Sequence, residues 1–209
     1  MDAVVTSPDD MEPTMVTRHT AGGLARGRAT SDAAAGKPTP PPQYPAAAAD
    51  AAQREAVAAW LADSLNRPDS AREQWASCHL AVLALGKQFS AVRLASELVY
   101  AVAAGGTDLA TASTVLQALD GPVIHDMRGR RFYALVPPSS PGPELGRYAT
   151  YLGFGNYIGV PRVGDNEPDE HLASYWAVPM TSPGALCYPV RVAKLAEAGT
   201  AELDGQVET

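Results

Sequence analysis

The sequence predicts an α+β domain in which helices pack on a small mixed or antiparallel sheet built from hairpins, preceded by a disordered tail. Three observations support this prediction. Proline and small residues dominate residues 1–50, apolar residues recur at helical spacing from residue 51, and short apolar runs flank turn residues between 80 and 136. The expected organisation is a tail at 1–50, a single domain at 51–198 and a disordered acidic C-terminus at 199–209.

The N-terminal segment holds seven prolines within its first 50 residues and almost no large apolar side chain. Such a segment cannot offset the entropy lost on ordering by burying surface, so we expect it to be disordered. The run KPTPPPQYP at 37–45 should adopt a local polyproline II conformation. It would act as a stiff spacer or as a docking peptide.

The chain contains no charge-free and proline-free stretch of about 18 apolar residues, which a membrane span would need. Its first 20 residues begin acidic and build no apolar signal core. Cys78 and Cys187 lie far apart and outside any CxxC motif, which suits a reducing compartment. The sequence therefore predicts a cytoplasmic protein that does not enter a membrane.

Five predicted helices follow the tail. The spacing of Trp60, Leu61 and Leu65 predicts a helix that Pro68 closes, and Ser70 with Glu73 predicts a capped second helix through residue 75. Residues 95–119 predict two amphipathic helices divided at Gly105–Gly106, and residues 189–198 predict the last helix.

Strands are predicted between these helices. Residues 80–85 and 89–94 flank Gly86–Lys87 and predict one β-hairpin, while residues 123–126 and 131–136 flank a turn at 127–130 and predict another. Short strands are expected at 157–160 and 174–178. Phe132 and Tyr133 should then face opposite sides of their strand.

Motifs for catalysis are missing from the sequence. It contains no GxSxG or SxxK signature and no HxxxH or HExxH pair that would hold zinc. The acidic loop at 165–170 lacks the glycine and the distal glutamate of a calcium loop, and the glycines of LGFGNYIGVP do not have phosphate-loop spacing. We therefore expect no cofactor and no metal, and favour a protein that is not an enzyme.

A local charge bias is the most informative feature. Residues 123–163 contain five arginines and two carboxylates, a balance of +3 in a chain of net charge −7, and tyrosines are interleaved with the arginines. Basic and aromatic side chains on one sheet face can neutralise phosphates and stack on bases. The competing interpretation is an ordinary core with solvated arginines. The candidate residues for binding a nucleic acid or a nucleotide are Arg128, Arg130, Arg131, Tyr133, Arg147, Tyr157 and Arg162.

Four segments carry a family resemblance: FSAVRLASELVYAV at 89–102, GPVIHDMRGRRFYALVPP at 121–138, LGFGNYIGVP at 152–161 and SYWAVP at 174–179. Over about residues 75–198 the chain resembles a family of small uncharacterised actinobacterial proteins. The order of these segments is also similar to the N-terminal domain of bifunctional DNA primase/polymerases. In that family a DxD or DxE pair on a core strand holds the catalytic metals. Within residues 75–198 the only DxE, Asp165 with Glu167, lies in a loop that contains proline, so no catalytic residue is carried over.

Three functions remain open from the sequence. The favoured one is a non-enzymatic accessory or regulatory protein of a mobile element that binds nucleic acid, a nucleotide or a protein partner through the basic aromatic region. The second is a divergent metal-dependent nucleotidyltransferase that uses Asp165 and Glu167. The third is a protein-interaction module in which the KPTPPPQYP segment docks a partner. The sequence does not predict an oligomeric state.

Overall fold

The computed structural model of the protein describes residues 46–103, 109–138 and 145–207. Its α-helices in these ranges are α1 (Ala46–Ala62), α2 (Pro68–Cys78), α3 (Ser96–Val102), α4 (Leu109–Gln117) and α5 (Pro189–Val207). Its strands in these ranges are β1 (Leu80–Ala84), β2 (Ser90–Ala95), β3 (Val123–Asp126), β4 (Arg131–Val136), β5 (Ala149–Leu152), β6 (Tyr157–Pro161) and β7 (Ser174–Val178). The predicted α+β class is confirmed.

The strands form two separate sheets. Five of them make one sheet in the order β5-β2-β4-β3-β7, and β1 pairs with β6 in a two-stranded ribbon. Each of these pairings is antiparallel. Of the two predicted sheet types, the antiparallel one is therefore the type that forms.

Both faces of the five-stranded sheet are covered, because neighbouring residues of its central strands point into different cores. Ala91 and Leu135 face a core built with α1, α2 and the ribbon, which we call core 1. Val92 and Ala134 face a core built with α3, α4 and α5, which we call core 2. The alternation of β-strand side chains thus produces three layers with the sheet in the middle.

The two predicted hairpins have different outcomes. The β3–β4 hairpin is confirmed, with Asp126 opposite Arg131 across the predicted turn. The first hairpin is wrong although both of its strands exist, because β1 pairs with β6 while β2 pairs with β4 and β5. At Gly86 the chain turns from the ribbon into the sheet with φ +92°, and a Cβ there would lie 2.4 Å from the Phe154 Cα. Glycine is needed at this turn for both reasons.

The helix bounds differ from the prediction at several ends. α1 begins at Ala46, within the predicted tail, and α2 begins at Pro68, where a missing N–H costs nothing, and continues to Cys78. The Ser70 hydroxyl donates to the Arg67 carbonyl at 2.7 Å, so the predicted capping box does not form.

The C-terminus shows the largest difference. α5 continues to Val207, so the prediction of disorder is wrong for residues 199–207. Leu203 packs against core 2, and Gly199 lies so close to α3 that a Cβ there would be 2.6 Å from the Leu98 side chain. Packing on α3 therefore explains why the helix continues past residue 198, where the acidic composition of the C-terminus predicted its end. The break at Gly105–Gly106, the KPTPPPQYP run and residues 1–45 as a whole lie outside the described residues.

Candidate functional site

One end of the five-stranded sheet carries a basic cleft of about 450 Å³. We call it the arginine cleft. It is formed by β2, the first turn of α3, the β3–β4 turn, the start of β4 and the entry into β5. Its lining residues are Arg93, Ala95, Glu97, Gly129, Arg130, Arg131, Arg147, Tyr148 and Thr150.

Strand register brings the sheet-borne members of the arginine cleft together. Arg93 lies opposite Thr150 on β5, and Ala95 lies opposite Arg131 on β4. Since residues two apart on a strand share a face, Arg93 and Arg131 project from the same side of the sheet, the side that core 1 covers further along. The Arg93 Nη2 group donates to the Thr150 hydroxyl at 3.1 Å, which orients this guanidinium.

The β3–β4 turn is held from two sides. The Gly129 N–H donates to the Asp126 carboxylate at 2.7 Å, and the Arg130 carbonyl accepts from the Ser96 N–H at 3.1 Å. Arg130 itself has φ +52°, a left-handed conformation that costs a non-glycine residue about 1 kcal/mol or more. These bonds offset that cost and place Arg130 and Arg131 at the cleft.

The guanidinium groups of the cleft are not equivalent. Arg93, Arg130 and Arg131 form no ion pair with any carboxylate of the described residues, whereas Arg147 pairs with Asp204 of α5. The Arg147 Cζ also lies 4.9 Å from the centroid of the Tyr148 ring, at cation–π distance. Three arginines therefore have no anionic partner among the described residues, while the fourth is held between a carboxylate and an aromatic ring.

Three of the seven predicted site residues line the arginine cleft: Arg130, Arg131 and Arg147. Arg128 is exposed in the same turn but is not part of the cleft lining. Tyr133 lies opposite Arg93 in the register, yet its ring packs against core 1. The predicted opposition of Phe132 and Tyr133 is confirmed, since Phe132 belongs to core 2.

The two remaining predicted residues lie on the ribbon side of the protein. Tyr157 of β6 is 64% exposed, and Arg162 donates to the Asp165 carboxylate at 2.9 Å. Sequence reasoning missed Arg93, although a charged residue in the otherwise apolar strand SAVRLA was a usable signal. Glu97 and Thr150 had no such signal, because only the register brings them to the cleft.

Asp165, the first acidic residue of the hypothetical metal pair, is contacted by a histidine and an arginine side chain. Its oxygens lie 3.1 Å from the His79 Nδ1 atom and 2.9 Å from the Arg162 Nη2 atom, and its side chain is only 11% exposed. Glu167 is exposed on the loop that follows. Within the described ranges, no three His, Cys, Asp or Glu side chains are grouped so that they could hold a metal ion. Asp165 thus connects the start of β1 to the loop after β6.

A second cleft of about 530 Å³ lies at the opposite end of β4 and is mainly apolar. Four prolines line it together with Leu186, Tyr188 and Cys187. Burial raises the pKa of the Cys187 thiol to about 12, so this cysteine stays protonated and unreactive at neutral pH. Cys78 is exposed, and neither cysteine forms a disulfide. This cleft therefore offers shape and apolar surface without a reactive group.

His125 lies on β3 close to the β3–β4 turn, and it is buried beside core 2. Its ring stacks on Phe132 with centroids 4.1 Å apart, and its Nδ1 atom is 3.1 Å from the Tyr175 hydroxyl. Burial lowers the pKa of His125, and the neighbouring Asp126 opposes this effect only in part. Burial also raises the pKa of Tyr175 to about 12. The pair is therefore neutral at physiological pH.

The lowered pKa of His125 predicts a loss of stability on mild acidification. A histidine whose folded-state pKa lies below its unfolded value of about 6.5 stabilises the fold fully above that value, and this contribution is lost as pH falls through the folded-state pKa. We expect the free energy of unfolding of the wild type to fall between about pH 7.5 and about pH 5.5 more steeply than that of His125→Gln. Urea unfolding at several pH values measures both slopes, and parallel slopes would contradict the prediction.

Comparison with family models, with curated proteins and with solved structures finds no match for this chain. Across the described residues, no helix combines the length and the apolar character that crossing a membrane requires.

Proposed function

We propose that this protein is a non-enzymatic accessory or regulatory protein that binds the phosphate groups of a nucleotide or nucleic acid in the arginine cleft. The observation that supports this proposal is that Arg93, Arg130 and Arg131 line one cleft of an acidic protein and have no carboxylate partner in the part of the chain that the structure describes. Like charges repel, so an anion bound among the three would relieve an unfavourable arrangement.

Guanidinium groups are well suited to binding phosphate. Each presents a planar fork of N–H donors that matches two phosphate oxygens, and such charge-assisted hydrogen bonds are about twice as strong as neutral ones. Thr150 already orients the Arg93 guanidinium, and the hydrogen-bonded turn fixes the backbone of Arg130. Pre-oriented donors lose less side-chain entropy when the ligand binds.

The shape of the cleft favours a compact ligand, or the end of a nucleic-acid strand, over a long stretch of nucleic acid. Its volume of about 450 Å³ falls within the usual range for small-molecule sites. Of the candidate tyrosines, Tyr133 and Tyr157 lie outside the cleft, so no row of stacking platforms continues from it. The net charge of −7 also opposes non-specific binding to DNA.

The nucleotidyltransferase hypothesis gains less support than binding alone. Asp165 would have to release His79 and Arg162 before it could hold a metal, and breaking a half-buried ion-pair network is costly. The arginine cleft contains one carboxylate, Glu97, among its described lining residues. A metal-dependent phosphoryl-transfer site ordinarily needs more than one.

The test is a direct titration with phosphate probes. Fluorescently labelled ADP and labelled single-stranded RNA and DNA oligonucleotides are titrated with the wild-type protein, and anisotropy is followed from low to high salt. We expect binding of labelled ADP that weakens as salt rises, because the contacts are charged and partly exposed. A strand that binds while ADP does not would support the nucleic-acid form of the proposal. If no phosphate probe binds even at low salt, the proposal fails.

A further inference from the structure

Glu97 is a puzzling member of an anion-binding cleft. It is exposed in the first turn of α3 and lines the cleft with four arginines, yet it pairs with none of them. A carboxylate in this position repels an incoming phosphate and so weakens phosphate binding. That cost is offset if the carboxylate accepts hydrogen bonds from another part of the same ligand.

Arg147 has an equally specific arrangement. Asp204 already balances its charge, which makes it a weaker phosphate ligand than its neighbours. The Tyr148 ring supports its guanidinium at 4.9 Å, while the Arg147 side chain is still 60% exposed. A planar guanidinium that is supported on one face and open on the other is a platform on which a nucleobase can stack.

We propose that the ligand of the arginine cleft is a ribonucleotide. The three unpaired arginines hold its phosphates, Glu97 accepts hydrogen bonds from the ribose hydroxyls, and Arg147 stacks on the base. This inference rests on the proposed phosphate binding and extends it by naming the class of ligand. Acidic side chains suit a ribose diol because a carboxylate can accept from two adjacent hydroxyls at once.

The assignment predicts opposite changes for two probes in one variant. In Glu97→Ala the repulsion of phosphate is removed, so the affinity for inorganic pyrophosphate should rise a few fold. The affinity for ADP should fall about tenfold, because two charge-assisted hydrogen bonds are lost and exceed the relief of repulsion. If Glu97 merely complements the dipole of α3, its removal should raise the affinities for pyrophosphate and for ADP together.

The experiment compares ADP, 2′-deoxy-ADP and pyrophosphate by isothermal titration calorimetry against the full chain. Wild type should bind ADP more tightly than the deoxy form, and this preference should vanish in Glu97→Ala. Arg147→Lys keeps the positive charge but loses the planar guanidinium. It should lower the affinity for ADP about tenfold and leave the affinity for pyrophosphate nearly unchanged. Thermal unfolding of both variants verifies the fold, since both side chains are exposed and should contribute little to stability.

The outcomes separate this inference from the proposed function. If pyrophosphate and ADP bind equally well, or if Glu97→Ala strengthens both, the ribonucleotide assignment is overturned and phosphate binding stands. If neither probe binds the wild type, the ribonucleotide assignment is overturned, and the phosphate site is rejected with it only if the labelled oligonucleotides also fail to bind. Crossed changes in the two affinities are the result that supports the assignment.

Discussion

Replacing Arg93 and Arg131 together by glutamine should lower the affinity for labelled ADP by about a hundredfold or more. A hydrogen bond to a charged group contributes about 1.5–3 kcal/mol, and about 1.4 kcal/mol corresponds to a tenfold change in affinity. Both side chains are partly exposed, so we take the lower end of that range for each. Anisotropy titration at constant salt measures the change. The slope of affinity against salt should also decrease, because fewer cationic groups then engage the phosphates.

The control for this variant is Arg128→Gln combined with Lys87→Gln. It removes the same two charges, but Arg128 is exposed outside the cleft lining and Lys87 precedes β2 at the other end of the sheet. We expect its affinity to change by less than about threefold, since screened charges at a distance contribute little. An equal loss in both double variants would mean that net charge, and not the arginine cleft, controls binding.

Gly121→Ala should destabilise the fold by about 3 kcal/mol. A Cβ at residue 121 would lie 2.2 Å from the Cys187 nitrogen and 2.6 Å from its Cα. The Cys187 N–H donates to the Leu135 carbonyl at 2.8 Å, so moving this backbone also weakens the attachment of the 185–188 segment to β4. Urea unfolding followed by tryptophan fluorescence reports the loss, because Trp75 and Trp176 are buried in core 1.

Gly205→Ala is the matched control for Gly121→Ala. No atom lies within 4 Å of a Cβ built at residue 205, which is inside α5. Alanine should stabilise that helix by up to about 1 kcal/mol. If both variants unfold at the wild-type midpoint, the close approach of Gly121 to Cys187 is not a constraint in solution.

Local sequence patterns were sufficient to predict a helix or strand wherever that element depends on its immediate neighbours in sequence. The 123–136 hairpin was predictable because a short turn separates two alternating runs, and its pairing then follows from chain connectivity. Strands at 157–160 and 174–178 and the helix that starts at residue 189 were identified by the same kind of signal. The composition of residues 80–94 identified two strands correctly but not their partners.

The partners of β1 and β2 lie more than 30 positions away in the sequence. β2 is buried on both faces, with Ala91 in core 1 and Val92 in core 2, and a central strand needs a neighbour on each side. β5, which supplies one of those neighbours, carries too weak a pattern to be predicted alone. Pairing of this kind is decided by the burial of both sheet faces, which no local window contains.

The arginine cleft divides in the same way between sequence and structure. By itself, the sequence determined that Arg130, Arg131 and Arg147 belong to a basic region and that Phe132 and Tyr133 face opposite sides of one strand. Only the tertiary structure brought Arg93, Glu97 and Thr150 beside them and removed Tyr133, Tyr157 and Arg162 from the site. The physical reason is that charge and alternation are properties of a segment, whereas a cleft arises from the register between strands that are distant in the chain.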